Sequence, residues 1–331
     1  MTSVDGADPA SRFGRDTTAA DMARSADLRG RRAVITGASS GLGVETARCI
    51  ALAGADLILG VRDPERASAL LPLIAGASSA RITLLPLDLS DPESVQAFAH
   101  AIDGPVDLLI ANAGVSKTPD AHLANGLDVR FATNHLGHFL LAHLLHAQLA
   151  TRGARIVVLS SAAHKGKPIV IDDLNRHQRP RDDFAAYGES KTANILFAQE
   201  ASRRWRDAGI VANAVLPGSI LTGLQRHHGD ALMKRIGFIA EDGSRNPVLK
   251  TVEQGAATTL WAATAPELEG RGGLVLEDCG LARPVEADTH PWSGFDTSVA
   301  SPDAAAQLWA ASIALLRAQA VSETYFAGET I

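Results

Sequence analysis

Apolar residues in this chain fall into short unbroken runs separated by longer amphipathic stretches, the pattern expected of buried strands alternating with helices. RAVITG at 32–37 reads as a buried strand ending in glycine, and LGVETARCIALAGA follows it as a helix. DLILGV at 56–61 is the next strand, with a helix from about Pro64. RITLLPLDL at 81–89 precedes a helix opened by Asp91-Pro92-Glu93, a cap followed by proline in the first turn. VDLLIANAG at 106–114 is a fourth strand, followed by one long helix over about 125–150. RIVVLSS at 155–161, a helix to about 207, IVANAVLPG at 210–218, a helix near 252–264 and a short strand near 272–276 complete the series. This alternation predicts an α/β fold, a Rossmann-type doubly wound parallel sheet in a single domain. The irregular stretches 162–184 and 219–250 are expected at the C-terminal edge of the sheet, where such folds bind ligands.

Composition narrows the setting. Residues 1–28 lack an apolar core and do not read as a signal peptide, so they are expected to be a disordered extension preceding one domain over 29–331, with rim and tail segments at its C-terminal end. The most apolar run, FLLAHLLHAQLA at 139–150, is too short to span a bilayer. A formal net charge of −6 without a clustered basic face argues against nucleic acid. Two cysteines, Cys49 and Cys279, cannot build a disulfide framework, and the expectation is a cytoplasmic protein with no membrane span. His227 and His228 are adjacent without a carboxylate at ligand spacing, so no metal site is expected.

The candidate chemistry centres on Tyr187 and Lys191 in AAYGESKTANILFAQE. Four residues apart on a helix, they share one face, and an ammonium beside a phenol is expected to lower the phenol's pKa and fit it for proton transfer. Between the first strand and its helix lies Thr36-Gly37-Ala38-Ser39-Ser40-Gly41-Leu42-Gly43. Glycines there let a backbone approach a pyrophosphate whose charge meets the amides of a helix N-terminus.

TGASSGLG, NAG at 112–114, NHLGHFLL at 134–141, LSSAAH at 159–164, YGESK at 187–191 and PGSILT at 217–222 occur in one order. EQGAATT at 253–259 and GGLVLEDC at 272–279 follow them. With these motifs the chain resembles the short-chain dehydrogenases/reductases, and among them the retinol-dehydrogenase-like branch, over about residues 30–315. The resemblance implies catalytic roles for Asn134, Ser161, Tyr187 and Lys191. Ser161 would hydrogen-bond a substrate carbonyl and Tyr187 would exchange a proton with its oxygen. Lys191 would lower the Tyr187 pKa and hold the nicotinamide ribose, and Asn134 would complete a proton relay through water. Ser160 would face away, because side chains alternate along a strand. The resemblance further implies cofactor contacts at Gly37, Ser39, Ser40, Gly41, Leu42 and Gly43, at Asp88 and Leu89, and at Asn112, Ala113 and Gly114. Tyr187, Lys191, Pro217, Gly218 and Thr222 complete that set.

Where an NAD enzyme would carry an acid at the end of the second strand, this chain has Val61 followed by Arg62, whose planar fork suits a phosphate. NADP(H) is therefore favoured over NAD(H), with Asp63 as a potential neutraliser of Arg62. The expected partner is a small carbonyl or alcohol, hydrophobic in view of the apolar residues at 219–239. Two other readings stand beside hydride transfer: an NADP(H)-binding regulatory protein without turnover, and a nucleotide-sugar epimerase or dehydratase. The helices at 125–150 and 185–207 are apolar enough to pair two subunits in a homodimer, or to form the core of a monomer.

Overall fold

Strands buried on both faces need no polar alternation, and β1 Arg32–Thr36 and β4 Leu108–Ala111 are buried along nearly their whole length. In the computed structural model, which describes residues 13–76 and 78–326, they lie side by side at the centre of the sheet. Around them are β2 Asp56–Val61, β3 Ile82–Pro86, β5 Arg155–Leu159, β6 Val211–Leu216, β7 Val275–Glu277 and β8 Gly280–Leu281. The order is β3-β2-β1-β4-β5-β6-β7-β8; β1 to β7 run parallel and β8 returns antiparallel on β7. Strand order reverses between β1 and β4, which opens a crevice beyond their C-terminal ends.

Helices cover both faces. On one, the Gly41–Leu52 and Val252–Thr264 helices bury Ala47, Ile50, Ala256 and Leu260. On the other, the Pro92–His100, Gly137–Leu144, Asp183–Arg204 and Pro302–Ala318 helices bury Phe98, Phe139, Phe197 and Trp309.

Three sequence expectations need correction. The extension expected to be disordered over 1–28 is ordered from residue 13, and residues 1–12 lie outside the described residues. Ala19–Arg24 is a helix closed by a Thr18/Asp21 capping box, and it buries Met22 and Ala23 in the core shared by the Gly41–Leu52 and Val252–Thr264 helices. Three apolar anchors, with Ala19 the third, and a satisfied N-terminus dock one turn and a half on a preformed surface.

The continuous helix expected over 125–150 is broken. Val129–Phe131 leads into a π-helical turn, Ala132–Leu136, before Gly137–Leu144 and His146–Ala150. The π turn carries the fully buried Asn134, a placement often met near functional sites. Gly137 follows because a Cβ there would lie 2.1 Å from the Leu89 carbonyl oxygen.

The apolar face of the 137–144 and 183–204 helices, left open between core and subunit contact, is filled within the chain. Trp309 of the Pro302–Ala318 helix stacks edge-on to Phe139 at 4.8 Å and lies 6.1 Å from Phe197, while Ser312 bonds His135 at 3.0 Å.

Candidate active site

The third correction concerns the phenol. Asp182 caps the Asp183–Arg204 helix by accepting from the amides of Phe184 and Ala185, which fixes the helix start just ahead of Tyr187. Tyr187 and Lys191 then point to the same side, with the Lys191 Nζ 5.6 Å from the tyrosine ring centroid. Both are buried, and burial dominates their electrostatics. It pushes the Tyr187 phenol up to about 12, against a downward pull from its hydrogen bond with Ser161. Burial also pushes the Lys191 ammonium down to about 8. The expected lowering of the Tyr187 pKa by Lys191 does not appear: burial sets the direction, and only the Ser161 hydrogen bond pulls against it.

Ser160 and Ser161 part as the strand pleat requires. The Ser160 hydroxyl donates to the Lys191 carbonyl at 2.8 Å, tying β5 to the helix, while Ser161 faces Tyr187. Lys191 Nζ donates to the Leu159 carbonyl at 2.9 Å, so β5 holds both ends of the pair. The loop after β5 is fixed by His164, fully buried and not singled out from the sequence. Its Nδ1 donates to the Ser161 carbonyl at 2.6 Å, and its Nε2 accepts from the Asp296 amide at 3.0 Å. Desolvation lowers its pKa and keeps it neutral, as these two roles demand.

Asn134 sits across Gly114 from Lys191: a Cβ at Gly114 would lie 3.3 Å from Asn134 Oδ1 and 3.5 Å from Lys191 Nζ. Its Oδ1 accepts from the Val115 amide at 2.7 Å, and its Nδ2 donates to the Val115 carbonyl and to Ser190 Oγ, both at 2.9 Å. The Asn134 carbonyl accepts from His138 Nδ1 at 3.0 Å, whose Nε2 accepts from the Thr36 hydroxyl at 2.8 Å. Thr36 Oγ1 in turn accepts from the amides of Asn112 and Ala113, at 3.1 and 3.0 Å. His138, buried and held neutral with its pKa at about 4, therefore couples the π turn to the ends of β1 and β4. Its position four residues after Asn134 was the available sequence signal.

Tyr187 and Lys191 face a cavity of about 630 Å³ at the C-terminal edge of the sheet. It is lined by Gly37, Ser39, Ser40, Gly41, Leu42 and Gly43 from the glycine-rich turn, by Arg62, Asp88 and Leu89, and by Asn112, Ala113 and Gly114. Tyr187, Lys191, Pro217 and Thr222 close its far side. Of the residues singled out from the sequence, Asn134, Ser161 and Gly218 are not part of this lining, whereas Ser160, expected to face away, contributes to it. Gly218 adopts φ +87°, with the Lys250 stem so close that a Cβ would approach it to 2.9 Å. Sequence reasoning missed the linings contributed by Thr118, His122, Leu224 and Arg226, which come from loops without a recognisable motif.

The cavity fits a dinucleotide. Gly37 and Gly41 hold φ of +70° and +54°, and a Cβ at Gly43 would lie 2.2 Å from the Gly37 carbonyl oxygen. This leaves bare backbone amides and the Ser39 and Ser40 hydroxyls at the start of the Gly41–Leu52 helix, the donor set that suits a pyrophosphate. Arg62 is exposed at the end of β2, and Asp63 is engaged in capping its own helix through the Arg66 amide at 2.9 Å.

The sequence profile described as short chain dehydrogenase matches residues 31–232. The chain is 46% identical over 297 residues to the "Probable oxidoreductase" of Streptomyces antibioticus, covering 88% of this chain and 99% of that protein. It is 36% identical to "Short-chain dehydrogenase TIC 32 B, chloroplastic" of Brassica napus, over 92% of this chain and 94% of the relative. Among solved structures, an uncharacterised protein of Mycobacterium paratuberculosis superposes with a TM-score of 0.69 at 32% identity, covering 91% and 97% of the two chains. None of the described helices is long and apolar enough to cross a membrane.

Proposed function

The chain belongs to the short-chain dehydrogenase/reductase family, and we propose that it transfers hydride between NADP(H) and a carbonyl/alcohol pair on a hydrophobic small molecule. The observation that carries this reading is the convergence of Ser161, Tyr187 and Lys191 beside a cavity floored by bare backbone. The motifs shared with the retinol-dehydrogenase-like branch support that narrower reading and leave the substrate open.

In the reductive direction a nicotinamide held beside Tyr187 and Lys191 would supply the hydride that the carbonyl carbon takes up. Tyr187, protonated at neutral pH because burial raises its pKa to about 12, gives its proton to the carbonyl oxygen, and the alcohol results. Ser161 is the second donor to that oxygen, and its contact with the phenol aligns both. The Lys191 ammonium stabilises the phenolate left behind, which solvent reprotonates before the next turnover. Asn134 and His138 act by position: they hold the Val115 backbone and the ends of β1 and β4.

NADP(H) is favoured because Arg62 projects at the end of β2 with no acid before it and with Asp63 committed elsewhere. A hydrophobic substrate is supported by two exposed apolar residues near the site. Phe184 is 53% exposed one helical turn before Tyr187, and Leu221 is 39% exposed on the 219–250 loop.

The test is optical NADPH consumption against hydrophobic aldehydes and ketones, with Tyr187→Phe in parallel. Turnover should fall by about 10²–10⁴-fold in the variant while NADPH still binds. Undiminished turnover in Tyr187→Phe would remove the tyrosine from the reaction.

A further inference from the structure

Two arginines line the cavity, and they reach it from opposite sides of the glycine-rich turn. Arg62 follows β2, next to β1 on one side; Arg226 follows β6, three strands away on the other. The chain after β6 crosses back over the N-terminus of the Gly41–Leu52 helix. A Cβ at Gly41 would lie 3.3 Å from the Thr222 Cβ, and one at Gly223 would lie 4.0 Å from the Ser40 hydroxyl. Below this crossing, a Cβ at Gly255 would meet Ile220 at 2.7 Å and Leu42 at 2.9 Å, so the Val252–Thr264 helix supports the segment from beneath.

Arg226 is tethered to that crossing. Its Nη1 donates to the Gly223 carbonyl at 2.8 Å, and among the described residues it has no carboxylate partner. Its guanidinium keeps four further N–H donors for a ligand. Thr222 is meanwhile held by its own capping box with Gln225, which fixes the start of the short helix carrying the tether.

We propose that Arg226 is a pyrophosphate clamp, closing over the bridging phosphates of the dinucleotide from the side opposite the glycine-rich turn. This rests on the NADP(H)-binding reading above and adds a residue to it. The assignment divides anion recognition by position. Arg62, beside β2, meets the phosphate that distinguishes NADPH from NADH; Arg226, above Ser40 and Gly41, meets the phosphates the two share.

The experiment measures dissociation constants of NADPH and NADH, by quenching of protein fluorescence or calorimetry, for the natural chain, Arg226→Gln, Arg226→Lys and Arg62→Gln. Arg226→Gln should weaken both dinucleotides by the same factor, about tenfold, as expected for loss of a charge-assisted pair worth about 1.4 kcal/mol. Arg226→Lys should recover part of that loss, and inorganic pyrophosphate should compete less well with NADPH in Arg226→Gln than in the natural chain. Arg62→Gln should weaken NADPH and spare NADH. The clamp is overturned if Arg226→Gln binds both dinucleotides like the natural chain, or if it weakens NADPH alone. A natural chain that prefers NADH would overturn the NADP(H) preference while leaving the Arg226 comparison intact. Because Arg226 is exposed, unchanged melting of both variants is expected and separates affinity from folding.

Discussion

The cavity floor and the rim loop over 219–250 are built on opposite principles. On the floor, side chains are excluded: a Cβ at Gly37 would meet Ala113 at 2.8 Å and one at Gly43 the Gly37 carbonyl at 2.2 Å. Beside it a chain of bonds runs from Thr36 through His138 to Asn134 and ties the strand ends to the π turn. The rim loop is instead closed at its base by the Lys250 amide donating to Ser219 at 3.0 Å and packs around its own small cluster of Met233, Phe238 and Leu249. That cluster is separate from the two large cores flanking the sheet. The floor can therefore hold one ligand geometry with little tolerance, whereas the rim can vary without disturbing the sheet. Apart from Thr222 and Arg226 at the start of the rim loop, which line the cavity, a fold divided this way keeps its cofactor chemistry while its substrate changes.

The largest expected effect comes from filling the floor. Gly43→Ala places a methyl against backbone that cannot swing aside, so the turn must shift. Overpacking of this kind costs about 1–3 kcal/mol of stability. Loss of two charge-assisted amide bonds to the pyrophosphate should weaken NADPH roughly a hundredfold. Denaturant titration and NADPH titration check the two parts. Native affinity in Gly43→Ala would show that the floor is as tolerant as the rim.

A smaller effect separates the two regions by pH. Lys191 titrates at about 8, and its charge is present below that value. Reductive kcat should be level through neutrality and fall by up to about tenfold per unit above pH 8, as the ammonium that stabilises the phenolate is lost. Alcohol oxidation should rise with pH over the same range, since it needs Tyr187 ionised and burial holds that phenol near 12. The rim titrates elsewhere. His228, which meets Ser116 at 3.3 Å, has its pKa lowered below 6.5 by desolvation. A kcat limb in that acid range, with none above pH 8, would move the pH dependence from floor to rim.

What could be read from sequence follows the same division. Glycines at 37, 41 and 43, Asn112–Gly114 and the 187/191 pair are local: each motif lies within one turn or one helical face, so spacing alone places it. The sheet order is also local in origin, since short strand–helix alternation leaves few topologies. Features formed by distant partners were not legible. Trp309 covers Phe139 across 170 positions, and nothing in either neighbourhood names the other. The π turn at 132–136 answers to Val115 and Ser190 bonding Asn134, again from separate segments. The direction of the Tyr187 shift depended on burial by surrounding elements, which a four-residue spacing does not report. The helix at 19–24 is different: Thr18 and Asp21 carried a capping signal that the polar composition around them obscured.

The smallest effect tests whether the rim is energetically its own unit. Trp292, from the loop before the last long helix, packs edge-on to Phe238 with ring centroids 5.5 Å apart. Gly237, at φ +77°, brings its backbone so near that a Cβ would lie 3.2 Å from the indole. Lys165 anchors the Trp292 loop by donating to the carbonyls of His290 and Ser293, at 3.1 and 2.7 Å. Trp292→Ala removes an aromatic pair worth about 0.5–1.5 kcal/mol beyond its buried area. Because the loss falls on a local cluster, it should appear as easier local opening rather than as global unfolding. The expected outcome is a severalfold rise in substrate KM, with the main melting transition and NADPH affinity essentially unchanged. Faster amide exchange confined to 229–249 would show the opening directly. If NADPH affinity instead fell in step with the rise in KM, rim and floor would be one cooperative unit, and the independence argued from their separate packing would be wrong.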